Sequence, residues 1–291
     1  MLTEQANPNT AKIDQMETLA MVERIHQEDY AVLAAIHAVL PAIANAIDNI
    51  VPRMQAGGRL FYVGAGTSGR LGLIDAVECV PTFSTPPELV QGIIAGGEAA
   101  FTHSIEDVED DAEAGARELQ ARGLSVVDTV VGIAASGRTP FVVGALMVAR
   151  HMGALTIGVS NNSPAPVLDA ADIAIAVLTG AEVIAGSTRL KAGTAQKMVL
   201  NMISTGTMVQ LGKVYGNLMV DVQVKNEKLR RRARNLVIQI AGVDDATASM
   251  LLAESDDSVK VAVVMAKRSV DAPSARALLD AAEGNLRRVI E

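Results

Sequence analysis

The stretch FYVGAGTSGRLG at 61–72 constrains this chain more than any other part of it. An apolar run ends at Gly64, and Gly64, Gly66 and Gly69 satisfy G-x-G-x-x-G. That spacing turns a strand tightly into a helix whose first amides are free to hold an anion. The alternation then recurs. RLFYVG (59–64), LVQGIIAG (89–96), DTVVGIAAS (128–136), ALTIGVS (154–160) and IAIAVLTG (173–180) read as strands. Between and after them lie helical segments at 68–80, 98–122, 139–153 and 188–212. Short apolar strands alternating with helices form right-handed βαβ units, so the expected fold is α/β, a doubly wound five-stranded parallel sheet.

Two flanks frame this core. Residues 1–15 are polar and are expected to be flexible. From Met16 to Gln55 the apolar residues recur at helical spacing, with breaks expected near Asp29 and Pro41 and an end at Gly57-Gly58. Beyond about Asn235 three short helical periods are expected, opening on Asp244 or Asp245, on Asp256 or Asp257, and on Asp271 with Pro273 behind it. The division expected is therefore 1–15, 16–234 and a small helical appendage at 235–291.

Composition removes several classes of function. A net charge of −8 argues against a nucleic-acid surface, and KNEKLRRRAR at 225–234 reads as a solvated helix face. Cys79 stands alone, which excludes an intramolecular disulfide and makes no case for a cysteine zinc site. The N-terminal residues lack the pattern of a signal peptide. Apolar runs are interrupted before the ~18 residues a membrane span requires. A cytoplasmic protein with no membrane partner, no metal and no cofactor is expected.

The anion is decided by a second loop. If the strand order is 2-1-3-4-5, strands 59–63 and 129–134 are neighbours flanking the crevice beyond the carboxyl edge of the sheet. Each runs into a hydroxyl-bearing loop, GAGTSG (64–69) and AASGRTP (134–140), bringing Thr67, Ser68, Ser136 and Thr139 toward one place with two helix N-termini. A dinucleotide site would show an acidic residue near the end of the second strand, where Leu89 stands and the nearest candidate is Glu98. A phosphate monoester fits better. Either loop alone is also an ordinary capped strand-to-helix turn; two matching loops carry the argument.

GAGTSGRLG, AASGRTP, GAEVIAGSTRLKAGTAQK (180–197) and YGNLMVDV (215–222) together resemble the sugar isomerase (SIS) domain family, in its N-acetylmuramic acid 6-phosphate etherase branch. The likeness runs from about Ile13 to the C-terminus, with a UBA-like helical tail. STRLKAG is its most specific motif, shared with glucokinase regulatory proteins, which bind sugar phosphates without transforming them. The resemblance implies removal of D-lactate from N-acetylmuramic acid 6-phosphate by elimination and water addition, carried by two glutamates. Those fall on Glu78 in DAVEC (75–79), where Val77 replaces a small polar residue, and on Glu109 in AGGEAAFTHSIEDVEDD (95–111), with Glu106 close by.

One group must take the C2 proton and the other protonate the departing lactate oxygen. A glutamate acid needs its pKa raised, and apolar Ile74, Val77 and Val80 around Glu78 suit that role, leaving Glu109 as base. Without the resemblance both would read as surface residues. Gly66, Gly137 and Arg138 join the phosphate loops, and Glu182, Ser187 and Lys191, with Arg189, are candidates for sugar contact or for simple capping and ion pairing. His26, His37 and His151 read as structural; His103 lies near Glu109 in sequence. If 68–78 is one straight helix, Glu78 lies ~15 Å along the axis from the loop. A homodimer with shared sites is the expected resolution. A non-catalytic sugar-phosphate binder, an aldose–ketose isomerase and a dinucleotide-dependent oxidoreductase remain as alternatives.

Overall fold

The computed structural model describes every residue except Glu106 and Lys225. Glu106, the neighbour weighed against Glu109, and the first residue of the basic run therefore lie outside the described residues. Three short 3-10 turns (Leu2–Glu4, Pro8–Thr10, Ile13–Gln15) precede α1 (Thr18–Gln55). Then follow β1 (Leu60–Gly64), α2 (Gly66–Phe83), β2 (Val90–Ile94), α3 (Ala99–Thr102), α4 (Ala112–Ala121), β3 (Thr129–Ala134), α5 (Pro140–His151), β4 (Leu155–Ser160), α6 (Pro166–Asp169), β5 (Ile173–Ala176) and α7 (Lys191–Gln210). Five helices close the chain: α8 (Glu227–Ala241), α9 (Asp245–Glu254), α10 (Val259–Arg268), α11 (Ala272–Ala281) and α12 (Leu286–Ile290).

The strands form one sheet in the order β2-β1-β3-β4-β5. Every pairing is parallel. This is the doubly wound arrangement expected from the alternation. The three central strands are buried throughout, as strands covered on both faces must be. Phe61 and Val63 of β1 join Val130, Leu119, Phe141 and Leu146 in the core on the α4–α5 side. Packing is close enough that a Cβ on Gly115 would fall 2.0 Å from the Phe141 carbonyl oxygen, and one on Gly144 would fall 2.1 Å from that of Ala112. Helices α4 and α5 thus meet backbone to backbone.

The N-terminal half departs from expectation in two ways. Instead of broken helices, α1 is a single 38-residue helix containing Pro41 and Pro52. A helix-interior proline costs about 3 kcal/mol; burial of Val32, Ala35, Ile36, Ile43, Ala46 and Ile50 along one face, against β4 and β5, outweighs it. The helix also holds an 18-residue window of mean hydropathy 1.8, so by length and composition it is long and apolar enough to cross a membrane. The rule of unbroken apolar runs does not register this window, because scattered polar residues interrupt it while its mean stays high. Residues 1–15 are held down as well. Thr3, Asn7 and Thr10 are buried. Asn162 Oδ1 accepts from the Leu2 amide, Asn7 donates to Glu28, and the Thr10 hydroxyl donates to the Val183 carbonyl.

The chain divides into two compact units, Met1–Val77 with Pro87–Ser204, and Glu78–Pro86 with Thr205–Glu291. The second is built on α8–α12 around Val237, Leu252, Val263, Val264 and Leu286. Each of its helices opens on a side-chain cap: Asn226, Asp244, Ser258, Asp271 and Asn285. The expected start at residue 235 falls inside α8, whose basic first half continues into buried Leu236, Val237 and Ile240. Four helices follow it where three were expected. Ser258 rather than Asp256 or Asp257 caps α10, and α12 is too short to show a period.

Candidate active site

Strands β1 and β3 are hydrogen-bonded neighbours, and both run directly into glycine-hydroxyl loops at their carboxyl ends. The first turn is as tight as a chain can make it. A Cβ on Gly64 would lie 2.6 Å from the Gly69 nitrogen, and one on Gly69 would lie 2.7 Å from Ile94 Cγ1. Gly66 takes φ +51° and opens α2. The amides of this first helical turn lack intrahelical partners, which is the general basis of anion binding at a helix start. In the second loop Gly137 has φ +70°, and a Cβ there would press within 2.4 Å of Ala165 Cβ and 2.5 Å of Ser160 Oγ.

The hydroxyls of the two loops are not equivalent. Thr67 is half-buried and its hydroxyl bonds to no other group among the described residues. Thr139 precedes Pro140 at the start of α5 and its side chain caps no amide, so its hydroxyl is free for a ligand. Ser136 Oγ accepts from the Arg138 amide at 3.2 Å and keeps its proton to donate. Arg138 itself is exposed. Ser68 differs: it is buried, and its hydroxyl donates to Gln196 Oε1 at 2.8 Å. Gln196 donates in turn to Asn161 Oδ1, and Asn161 to the Val177 carbonyl. That relay ties the loop to α7 and to the ends of β4 and β5. Its proton is thereby committed to the fold.

Glu109 is held beside the second loop. The Phe141 amide, in the first turn of α5, donates to the Glu109 carbonyl at 3.0 Å. Two residues on, Asp111 caps α4 by accepting from the Ala114 amide. The Glu109 side chain is exposed and lines a cavity of about 380 Å³, shared with Ala65 and Gly66 of the first loop, Arg70 of α2, and Ser104. Glu78 is exposed on α2, as are Ile74 and Val77, 49% and 63% accessible. The apolar neighbours expected to bury Glu78 therefore do not do so within one chain. Helix α2 runs uninterrupted from Gly66 to Phe83.

Two comparisons of sequence decide the family. A protein 51% identical over 291 residues, covering 100% of this chain and 95% of its own length, is the N-acetylmuramic acid 6-phosphate etherase of Caldanaerobacter subterraneus subsp. tengcongensis. Another of the same name, from Streptomyces avermitilis, is 51% identical over 290 residues, covering 100% of this chain and 93% of its own. The chain belongs to the N-acetylmuramic acid 6-phosphate etherase family. The family model of the glucokinase regulatory protein N-terminal SIS domain matches residues 42–150. Among solved structures, a phosphoheptose isomerase from Francisella tularensis shares the fold at TM-score 0.51 and 18% identity, covering 67% of this chain and 100% of its own.

In this etherase-family chain the four candidates around STRLKAG divide sharply, with Arg189 exposed. Glu182 is fully buried and accepts from the amides of Lys191 and Ala192, both at 2.9 Å, capping α7. Lys191 is buried and paired at 2.8 Å with Glu28. Burial alone would push the Glu28 carboxyl up, but hydrogen bonds from Lys191, Asn9 and Asn7 hold it below its ordinary value. Both side chains are occupied in holding α7, α1 and the N-terminal segment, so the capping and ion-pairing alternative describes them. Ser187 is half-buried with its hydroxyl unused. His103 pairs its ring with Thr102 Oγ1 and is exposed. No group of three or more His, Cys, Asp or Glu is placed to hold a metal among the described residues. Sequence reasoning missed Gln196 and Asn161, whose partners are remote in the chain. It also missed Arg70, which stands next to Gly69 in the motif it began from.

Proposed function

We infer that this chain carries out the reaction its family is named for, cleaving the D-lactyl ether of N-acetylmuramic acid 6-phosphate to N-acetylglucosamine 6-phosphate and D-lactate. The observation that carries the reading is the cavity in which the Glu109 carboxylate and the glycine loop at Gly66 share one lining. The phosphate is held by the first-turn amides of α2 with the hydroxyls of Thr67, Ser136 and Thr139, Gly66 and Gly137 allowing its approach, while the first amides of α5 are already bonded to the Glu109 and Thr139 carbonyls. Ser68 shapes the first loop, and Arg138 and Ser187 stand at its rim. A phosphorylated sugar is confined by its charge, which places the enzyme in the cytoplasm.

With the sugar open to its aldehyde, the C2 proton is acidified by the adjacent carbonyl. Glu109 takes that proton, electrons move to form the C2–C3 double bond, and the C3–O bond to lactate breaks. Glu78 protonates the departing oxygen. Water then adds at C3, giving a proton back through one glutamate while C2 regains one through the other, and the ring recloses. Glu78 lies twelve residues beyond Gly66 on one continuous helix, ~18 Å at the rise of an α-helix, more than a hexose spans. Its exposed apolar neighbours Ile74 and Val77 offer what a partner would cover. The reading is a homodimer in which Glu78 serves the neighbouring subunit's phosphate site.

The test is turnover in oxygen-18 water. Lactate release with label at C3 of N-acetylglucosamine 6-phosphate is expected, with Glu78→Gln and Glu109→Gln each losing about 10²–10⁴ in kcat. Label in lactate instead would mean cleavage on the other side of the ether oxygen. Binding without lactate release would make the chain a sugar-phosphate binder.

A further inference from the structure

Arg70 is in an unusual position for a surface arginine. It sits on the first turn and a half of α2, and its Nε and Nη2 donate to the carbonyls of Phe101 and His103 at 3.0 and 2.9 Å. The guanidinium thereby fastens the segment that leads into Glu109 onto the helix that leads out of the glycine loop. A guanidinium has five N–H donors, so one on Nη2 and both on Nη1 remain. No salt bridge joins Arg70 to a carboxylate among the described residues, although it lines the same cavity as Asp107, Glu109 and Asp110. It is the one cation among the described residues of a lining that carries three carboxylates.

Such a cavity repels an anion except where Arg70 stands. The remaining N–H groups form a planar fork that matches a carboxylate with two parallel hydrogen bonds. Two carbonyls already fix the plane of the group, so little side-chain freedom is lost when a ligand binds. N-acetylmuramic acid 6-phosphate carries two anionic groups, and the loops account for the phosphate. Resting on the reaction inferred above, we propose that Arg70 binds the carboxylate of the lactyl group and is the residue that selects a lactyl ether over the bare sugar phosphate. The same contact holds the leaving group in place while its ether oxygen departs, and it is lost to N-acetylglucosamine 6-phosphate, the sugar product, which has no carboxylate.

The test compares N-acetylmuramic acid 6-phosphate with its lactyl carboxamide, in wild type and in Arg70→Gln, together with the Kd of N-acetylglucosamine 6-phosphate. Wild type is expected to favour the acid over the amide at least tenfold in kcat/KM. In Arg70→Gln that preference disappears while the Kd for N-acetylglucosamine 6-phosphate stays within about twofold, because that ligand never used the fork. Equal losses on acid and amide would overturn the proposal and leave Arg70 as a fastener of the Glu109 segment. A weakened Kd for N-acetylglucosamine 6-phosphate would overturn it in favour of a phosphate contact. Should Arg70→Gln fail to fold, equal kcat/KM for acid and amide in wild type overturns the proposal. Should wild type release no lactate, the reaction itself is wrong. Calorimetry then decides on Arg70, since tighter binding of the lactyl sugar than of N-acetylglucosamine 6-phosphate supports it and equal binding overturns it.

Discussion

Gly66 and Gly137 do similar work in the two glycine-hydroxyl loops but for different reasons. Both adopt positive φ, which an L side chain tolerates at a cost of about 1–2 kcal/mol. Around Gly66 there is nothing within 4 Å of where a Cβ would go, whereas around Gly137 the space is already taken by Ala165 and Ser160. Gly66→Ala is therefore expected to cost only the backbone term. Gly137→Ala adds overpacking against a neighbouring strand end and costs about 2–4 kcal/mol in all. Urea denaturation of the two variants reads the difference directly, and equal losses would mean that the strand end at Ser160 yields. Ser68 makes the complementary point. A loop hydroxyl that looks like a ligand donor is, once the chain is folded, a buried link to Gln196.

At the scale of elements, α7 shows how a charge-rich motif can serve the fold. Glu182 approaches the helix start from nine residues upstream and takes two of its free amides, where a negative charge also meets the positive end of the helix dipole. Glu182→Ala leaves both amides bare in a site with no water access, and the expected loss is about 3 kcal/mol by chemical denaturation. Glu182→Gln keeps one acceptor and is expected to bind N-acetylglucosamine 6-phosphate as wild type does. A large loss of affinity in that folded variant would return Glu182 to the sugar site. Helix α1 is the other instructive element. Asp29 and Pro41 read locally as breaks, but a long apolar face against β4 and β5 holds the segment helical through them.

At the scale of the whole molecule, the shared-site homodimer has a test that mutation of a single chain cannot provide. Glu78→Gln and Glu109→Gln variants, each inactive alone, are mixed after reversible dissociation. Half of the re-formed dimers are mixed, and each mixed dimer has one site with both glutamates intact. About a quarter of wild-type activity is expected to return. No recovery, with mixed dimers demonstrated by mass, would place each active site within a single chain. The fold and the loops would be unaffected by that result, since β1, β3 and their turns are complete within one chain.

Much of this was legible before any coordinates. The alternation of strands and helices, the parallel sheet it implies and the two glycine-hydroxyl loops follow from patterns that span a few residues, because alternation, capping and tight turns are local physics; the strand order is only an assumption until the structure gives it. Family membership follows from the same string, as 51% identity across its length requires. What only the tertiary structure decided is which polar groups remain free. Ser68 meets Gln196, Lys191 meets Glu28, Asn162 meets the N-terminal turns, and Arg70 meets two carbonyls beyond β2. Each partner lies some thirty to more than a hundred and fifty residues away, beyond the reach of any local period. A side chain's chemistry is written in its residue type, but whether that chemistry is spent on the fold or left for a ligand is decided by what folding brings beside it.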